Sequence, residues 1–215
     1  MDFNRGWFGR RPLFYINMAL KIVTPAASHP ISLTEVKEQL RLPSAYTTED
    51  NALSWFIQAA TAVAERETNR ALLTQTWKLT LDKFPLNAII CSKSPLISVT
   101  SITYIDPDGA TQTWDSDEYI VDNQREPWRI TPAWGYSFPL TQNRINAVTV
   151  TFTSGYASSS VVPANILHGM RLVIGDMYKN RENIVIGRQV NEIPRGAEAL
   201  FSLERIDDHH TKSYL

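Results

Sequence analysis

The hydrophobic pattern of the chain changes its period twice, and this constrains the fold more than any other feature. Residues 32–69 carry apolar side chains at the spacing of amphipathic helices, and residues 163–182 return to that spacing. The roughly ninety residues between them are rich in strand and turn signals. Neither helical segment can bury its apolar face alone. We therefore predict that the two segments pack together around an inserted β module.

Start and stop signals divide the helical segments into three helices. Ser32 and Glu35 match the S-x-x-E capping box that opens a first, short helix, and Pro43 stops it. A longer second helix is predicted to end near Asn69, because asparagine tolerates the left-handed conformation that follows many helices. Pro163 suits the first turn of the third helix.

Between these helices, apolar residues alternate with polar ones. Trp77, Leu79 and Leu81 are separated by polar side chains, which is typical of a half-buried strand. Residues 106–109 (DPDG) are a strong turn signal, because proline presets the backbone and glycine accepts a positive φ. The predicted strands cover residues 77–81, 97–105, 110–114, 119–121, 128–130 and 147–152. These signals together predict an antiparallel β module.

The predicted fold class is α+β, with a helical core of three main helices, an antiparallel β module and extended arms at both ends. The boundaries are 1–30 for the N-terminal arm, 31–72 and 161–182 for the two parts of the helical core, 73–160 for the β insertion and 183–215 for the C-terminal arm, with a short helix near 197–204. The N-terminal arm is predicted to be irregular, or to reflect a translation start placed upstream of Met18. A signal peptide is disfavoured because Asn17 and Lys21 interrupt the apolar stretch.

The composition of the chain does not indicate a strongly charged, disulfide-bonded or membrane-spanning protein. The formal net charge is −1, so the totals do not indicate a protein that binds nucleic acid or an anionic membrane. The single cysteine, Cys91, excludes an intrachain disulfide. No apolar run approaches the roughly 20 residues that span a bilayer. We predict no membrane partner.

No set of residues in the sequence has the spacing of a catalytic or metal site. Glu65 and Glu67 are two residues apart on a predicted helix and point in different directions, which is poor geometry for a paired acid and base. Asp106 and Asp108 lack the rest of a calcium-binding loop, so a turn is the better interpretation. No phosphate-binding loop, nucleophile elbow or zinc-helix motif is present. We predict a protein that is not an enzyme and has no cofactor.

The predicted β module holds four of the six tryptophans, and they allow three interpretations. Large aromatic residues fill the core of a small module and form cross-strand pairs. They are also enriched at subunit interfaces, and they can stack on sugars or bases. Within the aromatic segment 125–136, we predict that Trp128, Trp134 and Tyr136 form an interface between subunits.

Several sequence blocks, in their order along residues 31–182, resemble the head–tail connector (adaptor, or head completion) proteins of tailed bacteriophages and prophages. The blocks are ISLTEVKEQLR at 31–41, the alanine pair at 59–60, AERETNRAL at 64–72, TQTW at 74–77, SPLISVTSITY at 94–104, VVP at 161–163 and YKNRE at 178–182. The N-terminal arm departs from the family pattern, whose members tend to begin near Met18. The large β insertion also sets the chain apart from mostly helical, compact connectors.

The resemblance implies a structural virion protein that forms a homo-oligomeric ring, usually twelvefold, beneath the portal protein. Such a ring extends the DNA channel, lets DNA pass without sequence-specific binding, and presents a surface to a tail or head-completion protein. The resemblance further implies that Leu200, Phe201 and Leu203 dock on the portal. The implied location is the head–tail interface of the virion, with the host cytoplasm as the site of assembly. The alternative is a carbohydrate- or receptor-binding tail component that uses the aromatic β module.

Overall fold

The computed structural model describes residues 18–181 and 194–206, which form a helical body and a β module. The strands are β1 (Met18–Thr24), β2 (Gln75–Leu81), β3 (Ile89–Cys91), β4 (Leu96–Ile105), β5 (Thr111–Thr113), β6 (Tyr119–Asp122), β7 (Trp128–Pro132) and β8 (Val148–Ser154). The helices are α1 (Leu33–Gln39), α2 (Asp50–Thr68), α3 (Ala164–Lys179) and α4 (Arg195–Ser202). The α+β prediction is confirmed, and every predicted strand has a counterpart in the structure.

The larger sheet of the β module is antiparallel and has five strands in the order β1-β2-β8-β4-β5. Strands β2 and β8 pair without interruption from Gln75 opposite Ser154 to Leu81 opposite Val148. Alternate side chains of both strands are buried, as a half-buried strand requires. Within residues 18–181 and 194–206, β1 pairs only with β2, and β5 only with β4, so these two strands form the edges of the sheet.

A second antiparallel sheet, in the order β3-β7-β6, packs against the larger one. Trp128 of β7 meets Phe152 of β8 edge to face, with the ring centroids 4.9 Å apart. Leu79, Ile130 and Val150 belong to the same buried cluster. The β module therefore has a hydrophobic core of its own, and burial of this apolar area is the main source of its stability.

The helical body has a separate core, to which the predicted helical segments before and after the β module both contribute. Leu53 and Ile57 of α2 pack in one cluster with Met170 and Ile174 of α3, and Phe201 of α4 joins them. This confirms that the helices before and after the β module share one core. The helical segments are brought together because each has a single apolar face.

Local signals at the helix ends are present as predicted. The Ser32 side chain accepts a hydrogen bond from the Glu35 N–H at 3.3 Å, and the Glu35 carboxylate accepts one from the Ser32 N–H at 2.8 Å. The backbone hydrogen bond from Ser32 lowers the pKa of Glu35, and Arg171, 2.9 Å away, contributes to the same shift. Asn69 ends α2 in the left-handed conformation with φ 57°.

The two connections between the helical body and the β module lie side by side. The chain enters the module after Leu73 and leaves it at Gly155, whose backbone lies against that of Leu73. The Gly155 N–H donates to the Pro95 carbonyl at 2.8 Å. The Thr74 hydroxyl donates to the Tyr156 carbonyl at 3.2 Å. These two adjacent connections, which we call the crossing, are thus held together by close backbone contacts and by one side-chain hydrogen bond.

Arg70, close to the crossing, contacts two further parts of the chain, the β6–β7 loop and the segment after α4. Its guanidinium makes a bidentate ion pair with Glu126 of the β6–β7 loop, at 2.7 and 2.8 Å, and its Nε donates to the Glu204 carbonyl at 2.8 Å. Burial opposes the charge of Arg70, but its hydrogen bond to Glu126 and the neighbouring acidic groups raise its pKa above the ordinary value. Asn69 beside it donates to the Ile206 carbonyl at 2.8 Å.

Two segments differ from the arms predicted for them. Residues 18–24 form strand β1 instead of an irregular arm, with Met18 opposite Leu81 and Ile22 opposite Trp77. The short C-terminal helix is packed into the helical core, because Ala197 and Phe201 lie four residues apart on its buried face. Strand β3 was not predicted, since three residues are too few to show a period. The predicted arms also include residues 1–17, 183–193 and 207–215, which, like Glu182 of the predicted helical core, lie outside the described part of the chain.

Candidate interaction surface

Three loops lie at the end of the β module that is opposite the helical body. They join β2 to β3 (residues 82–88), β4 to β5 (residues 106–110) and β7 to β8 (residues 133–147). The strand ends that carry them are neighbours, since Leu81 and Tyr104 both pair with Val148. The other ends of the same strands lead to the crossing at Leu73 and Gly155. A contact made at these loops would therefore leave the helical core undisturbed.

A cluster of aromatic side chains holds these loops in position. Phe84 stacks on Phe138 with the ring centroids 5.1 Å apart, and each ring lies 5.4 Å from that of Trp114. The Asn146 N–H donates to the Asp82 carboxylate at 2.9 Å, which joins the first loop to the third. Aromatic pairs of this kind add specific geometry to the burial of their area. The aromatic cluster and this hydrogen bond therefore hold the loops in position.

Two of these loops, residues 82–88 and 133–147, also carry large apolar side chains that are exposed to solvent. We call them the distal apolar surface, and each of its members is more than half exposed: Leu86, Trp134, Tyr136, Leu140 and Ile145. Single exposed apolar residues are common on proteins, but five on two adjoining loops are not explained by packing within the chain. Tryptophan and tyrosine, together with arginine, are enriched among the residues that contribute most of the binding energy at protein interfaces. The arrangement is typical of a surface that binds another protein.

Trp134 is presented by the backbone of a tight turn. The Tyr136 N–H donates to the Ala133 carbonyl at 3.0 Å, and Gly135 between them has φ +86°. Glycine at this position accommodates the positive φ that a type II turn requires. Ala133 is in turn held by its N–H bond to the Glu118 carbonyl at 2.9 Å. As a result, Trp134 is 99 % exposed on an ordered backbone.

The structure separates the three residues predicted for the subunit interface. Trp134 and Tyr136 are exposed on the same turn, as an interface requires. Trp128 is only 1 % exposed, and its indole N–H donates to the Lys93 carbonyl at 2.9 Å. It is a core residue because β7 places it between the two sheets, so the accessible aromatic pair consists of Trp134 and Tyr136.

The three residues predicted to dock on the portal are also separated. Phe201 is buried against Gly169 of α3, so it anchors α4 to its own chain and is not available to a partner. Leu200 is half-buried. Leu203 is 70 % exposed, just after the end of α4. Of the three, Leu203 is the residue that presents an apolar side chain to solvent.

The acidic turn at Asp106 is structural. Its carboxylate accepts hydrogen bonds from the Gln112 side chain and from the Ala110 N–H, both at 2.8 Å, and these bonds lower its pKa. Within residues 18–181 and 194–206, no three His, Cys, Asp or Glu side chains are grouped in a way that could hold a metal ion. No helix in those ranges is both long and apolar enough to cross a membrane.

Solved structures of similar fold come from gene transfer agent particles. A chain in the neck of an empty gene transfer agent (GTA) particle, computed with C6 symmetry, is 23% identical with a TM-score of 0.71, and the match covers 88% of this chain and 96% of that one. A chain in the virion of the native GTA particle is 23% identical with a TM-score of 0.70, over 87% and 95% of the two chains. A chain in the native neck computed with C12 symmetry is 21% identical with a TM-score of 0.67, over 88% and 96%. The chain thus has the fold of these chains along nearly its whole length.

No protein-family model and no curated protein matches the chain. The similarity to known proteins is therefore one of three-dimensional fold.

Sequence reasoning did not find three members of the distal apolar surface, Leu86, Leu140 and Ile145. Each lies in a loop among turn-forming or polar residues, where no period distinguishes an exposed apolar residue from a buried one. Large apolar residues within long loops were the available signal. The exposed edge of β1 was missed for a different reason, since its partner β2 lies about fifty residues further along the chain.

Proposed function

We propose that the chain is a structural neck protein of a tailed phage or phage-like particle, and that it forms a ring as a head–tail connector. The observation that supports this most strongly is the shared fold with GTA neck and virion chains over 87–88% of this chain and 95–96% of theirs. The resemblance of residues 31–182 to connector sequences supports the same role independently. In this proposal the protein is not an enzyme.

The symmetry of the similar particles supports a homo-oligomeric ring. Their necks were computed with C6 and C12 symmetry. In a closed ring, each copy contacts the next through two different surfaces, one on each side. A near-neutral chain suits a ring through which DNA passes without sequence-specific binding, because a strongly basic lumen would bind phosphates.

The distal apolar surface supplies one of the contacts that this role needs. Trp134 and Tyr136 are its aromatic members, and we propose that they contact a neighbouring copy in the ring. The carbohydrate-binding alternative would use the same two residues, because Trp128 is buried. Binding to soluble glycans that is lost in Trp134→Ala, without any effect on assembly, would favour that alternative.

Electron microscopy of the purified protein with and without its cognate portal tests the proposed role. We expect a ring stacked coaxially on the portal, located at the virion neck. Absence of any association, with both proteins folded and the portal intact, would contradict the connector role.

The exposed indole of Trp134 is expected to contribute to assembly of the ring. Trp134→Ala is expected to weaken ring formation at least tenfold, since truncation of a central aromatic at an interface typically costs about 2 kcal/mol or more. Sedimentation velocity across a concentration series measures this effect. Trp55→Ala is the matched control, because Trp55 is also exposed but lies on α2. Equal effects of the two substitutions would show that the distal apolar surface has no special part in assembly.

The portal contact is tested at Leu203 and not at Phe201. A charged residue at Phe201 would disrupt α4 itself, so a loss of docking would have no clear meaning. Leu203→Asp changes an exposed side chain and is expected to weaken portal binding while leaving the unfolding temperature unchanged. Portal binding equal to that of the original chain would remove Leu203 from the proposed contact and leave the connector role unaffected.

A further inference from the structure

Strand β1 is an open edge of the larger sheet. It has seven residues, and among the described residues no strand pairs with its outer side. The opposite edge, β5, has only three residues, all of them polar and exposed. Proteins usually shorten, charge or cover their edge strands, because free N–H and C=O groups invite another strand. The long and largely apolar edge of β1 is the exception in this sheet.

One face of β1 carries apolar side chains that are next to the hydrophobic core but are not fully covered by it. Leu20 lies opposite Leu79, and Ile22 lies opposite Trp77, so their side chains share the face of buried core residues. Yet Leu20 is 38 % exposed and Ile22 is 39 % exposed, because the sheet ends there. A further strand at this edge would cover both of them.

The other face of β1 lacks a negative charge. Lys21 lies directly opposite Lys78 on β2, and neither has an ion-pair partner among the described residues. Like charges at directly opposed positions of a sheet are destabilising. A carboxylate on an added strand would offset this repulsion.

A small groove next to β1 is a third feature that an added strand could use. Its volume is about 180 Å³, and Ile22, Gln58, Thr61 and Glu65 contribute to its walls. Pockets for small-molecule ligands are usually about 300 Å³ or larger. The groove therefore suits a single side chain of an extended segment. Strand addition with side chains held in adjacent pockets is a common mode of peptide recognition.

Of the three segments outside the described structure, only one has the matching chemistry. Residues 1–17 are basic, with three arginines, and residues 207–215 are mostly polar. Residues 182–193 (ENIVIGRQVNEI) combine two glutamates with five isoleucine or valine residues. They follow Arg181, which pairs with Glu49 at the start of α2, and they precede α4.

We propose that β1 accepts the end of this segment, residues 189–193 of a second copy, as an added antiparallel strand, which links neighbouring copies in the ring. This inference rests on the proposed ring, in which one copy donates the segment and the next accepts it. A single antiparallel register places Glu192 opposite Lys21. The same register places Val190 opposite Val23, and Ile193 opposite Leu20 on the core face.

A charge-exchange experiment on the isolated chain tests the contact without requiring a ring. A fluorescein-labelled peptide of residues 182–193 is titrated into the full chain, and its anisotropy is recorded. We expect saturable binding that Lys21→Glu weakens roughly fivefold, since a cross-strand charge pair contributes up to about 1 kcal/mol. The peptide with Glu192→Lys is expected to bind the Lys21→Glu chain more tightly than the original peptide does. Lys179→Glu, an equal change on α3, is the control and should leave binding unchanged.

Hydrogen exchange locates the bound peptide. The amides of β1 are expected to gain protection when the peptide binds, while those of β5 do not. Absence of peptide binding, or equal weakening by Lys21→Glu and Lys179→Glu, would overturn the proposal. Protection elsewhere without protection of β1 would overturn it as well.

Crosslinking in the assembled particle identifies which copy donates the segment. Val23→Cys and Val190→Cys are introduced into one chain, in which the native Cys91 is buried. After oxidation, a ladder of covalent oligomers on a denaturing gel supports donation between copies. A crosslink within one chain, or no crosslink in rings seen by microscopy, would overturn it. Peptide binding to β1 without any ring on the portal would instead contradict the proposed function and leave β1 as a strand-accepting site.

Discussion

The backbone at Gly155 passes so close to Leu73 that a side chain has no room between them. A Cβ atom at this position would overlap the Leu73 carbonyl, and Gly155 has φ +122°, which residues other than glycine rarely adopt. Backbone contacts cannot relax as the end of a long side chain can. Glycine at this point is a condition for the two connections to lie side by side.

Gly155→Ala is expected to lower the free energy of unfolding by about 3 kcal/mol or more, because steric overlap and a strained φ combine. Urea denaturation followed by tryptophan fluorescence measures this loss. Gly175→Ala is the matched control, since a Cβ at Gly175 of α3 meets nothing within 4 Å. It should stabilise the chain by up to about 1 kcal/mol. A Gly155→Ala chain as stable as the original would show that the crossing can rearrange.

At the scale of elements, α4 is held by a close approach to α3. A Cβ at Gly169 would lie 2.5 Å from the Phe201 ring, so the absence of a side chain lets the ring sit on the helix. The residues that follow α4 are fastened to the end of α2, since the Ile206 N–H donates to the Thr68 carbonyl at 2.9 Å. Arg205 also donates to the Glu67 carbonyl at 2.7 Å. The described C-terminal segment is thus part of the core.

Gly169→Ala is expected to displace Phe201 and release α4 while the β module keeps its structure. Hydrogen exchange resolved by mass spectrometry should show amides of residues 195–202 exchanging at least tenfold faster, which corresponds to a loss of about 1.4 kcal/mol. Gly175→Ala on the same helix should leave this exchange unchanged. Unaltered protection of α4 in Gly169→Ala would mean that Phe201 has room to move.

At the scale of the whole molecule, two hydrophobic cores are joined around Arg70. Its ion pair with Glu126 reaches the β module, and its bond to the Glu204 carbonyl reaches the C-terminal segment. Only 11% of the Arg70 side chain is exposed, so loss of the guanidinium would leave Glu126 without its partner. The arginine therefore helps to hold the helical body and the β module together.

Arg70→Met keeps much of the buried stem but removes the charge. We expect it to lower the free energy of unfolding by about 1–3 kcal/mol, less than for a fully buried pair because Glu126 is partly exposed. Thermal unfolding followed by circular dichroism measures the change. Arg66→Met, which removes an exposed ion pair with Glu67, should change stability by no more than about 0.5 kcal/mol. Equal effects at both positions would contradict a joining role for Arg70.

The residues that sequence reasoning placed correctly are those whose signal is local. Ser32, Glu35 and Asn69 mark helix ends, and the alternation at Trp77–Leu81 marks a strand, so neighbouring residues suffice to interpret them. Trp128 and Phe201 were assigned to interfaces because residue type alone does not tell a buried aromatic from an exposed one. Their burial depends on strands and helices distant in sequence. The roles of Arg70 and Gly155 were not predicted for the same reason.

The separation of α2 from α3 in sequence has a consequence for synthesis on the ribosome. About 95 residues lie between the end of α2 and the start of α3. The nascent chain therefore carries the uncovered apolar face of α2 while the entire β module is being translated. The β module can close its own core earlier, once β8 has emerged. We infer that folding begins in the middle of the chain, and that chaperones meet the first helices before α3 arrives to cover them.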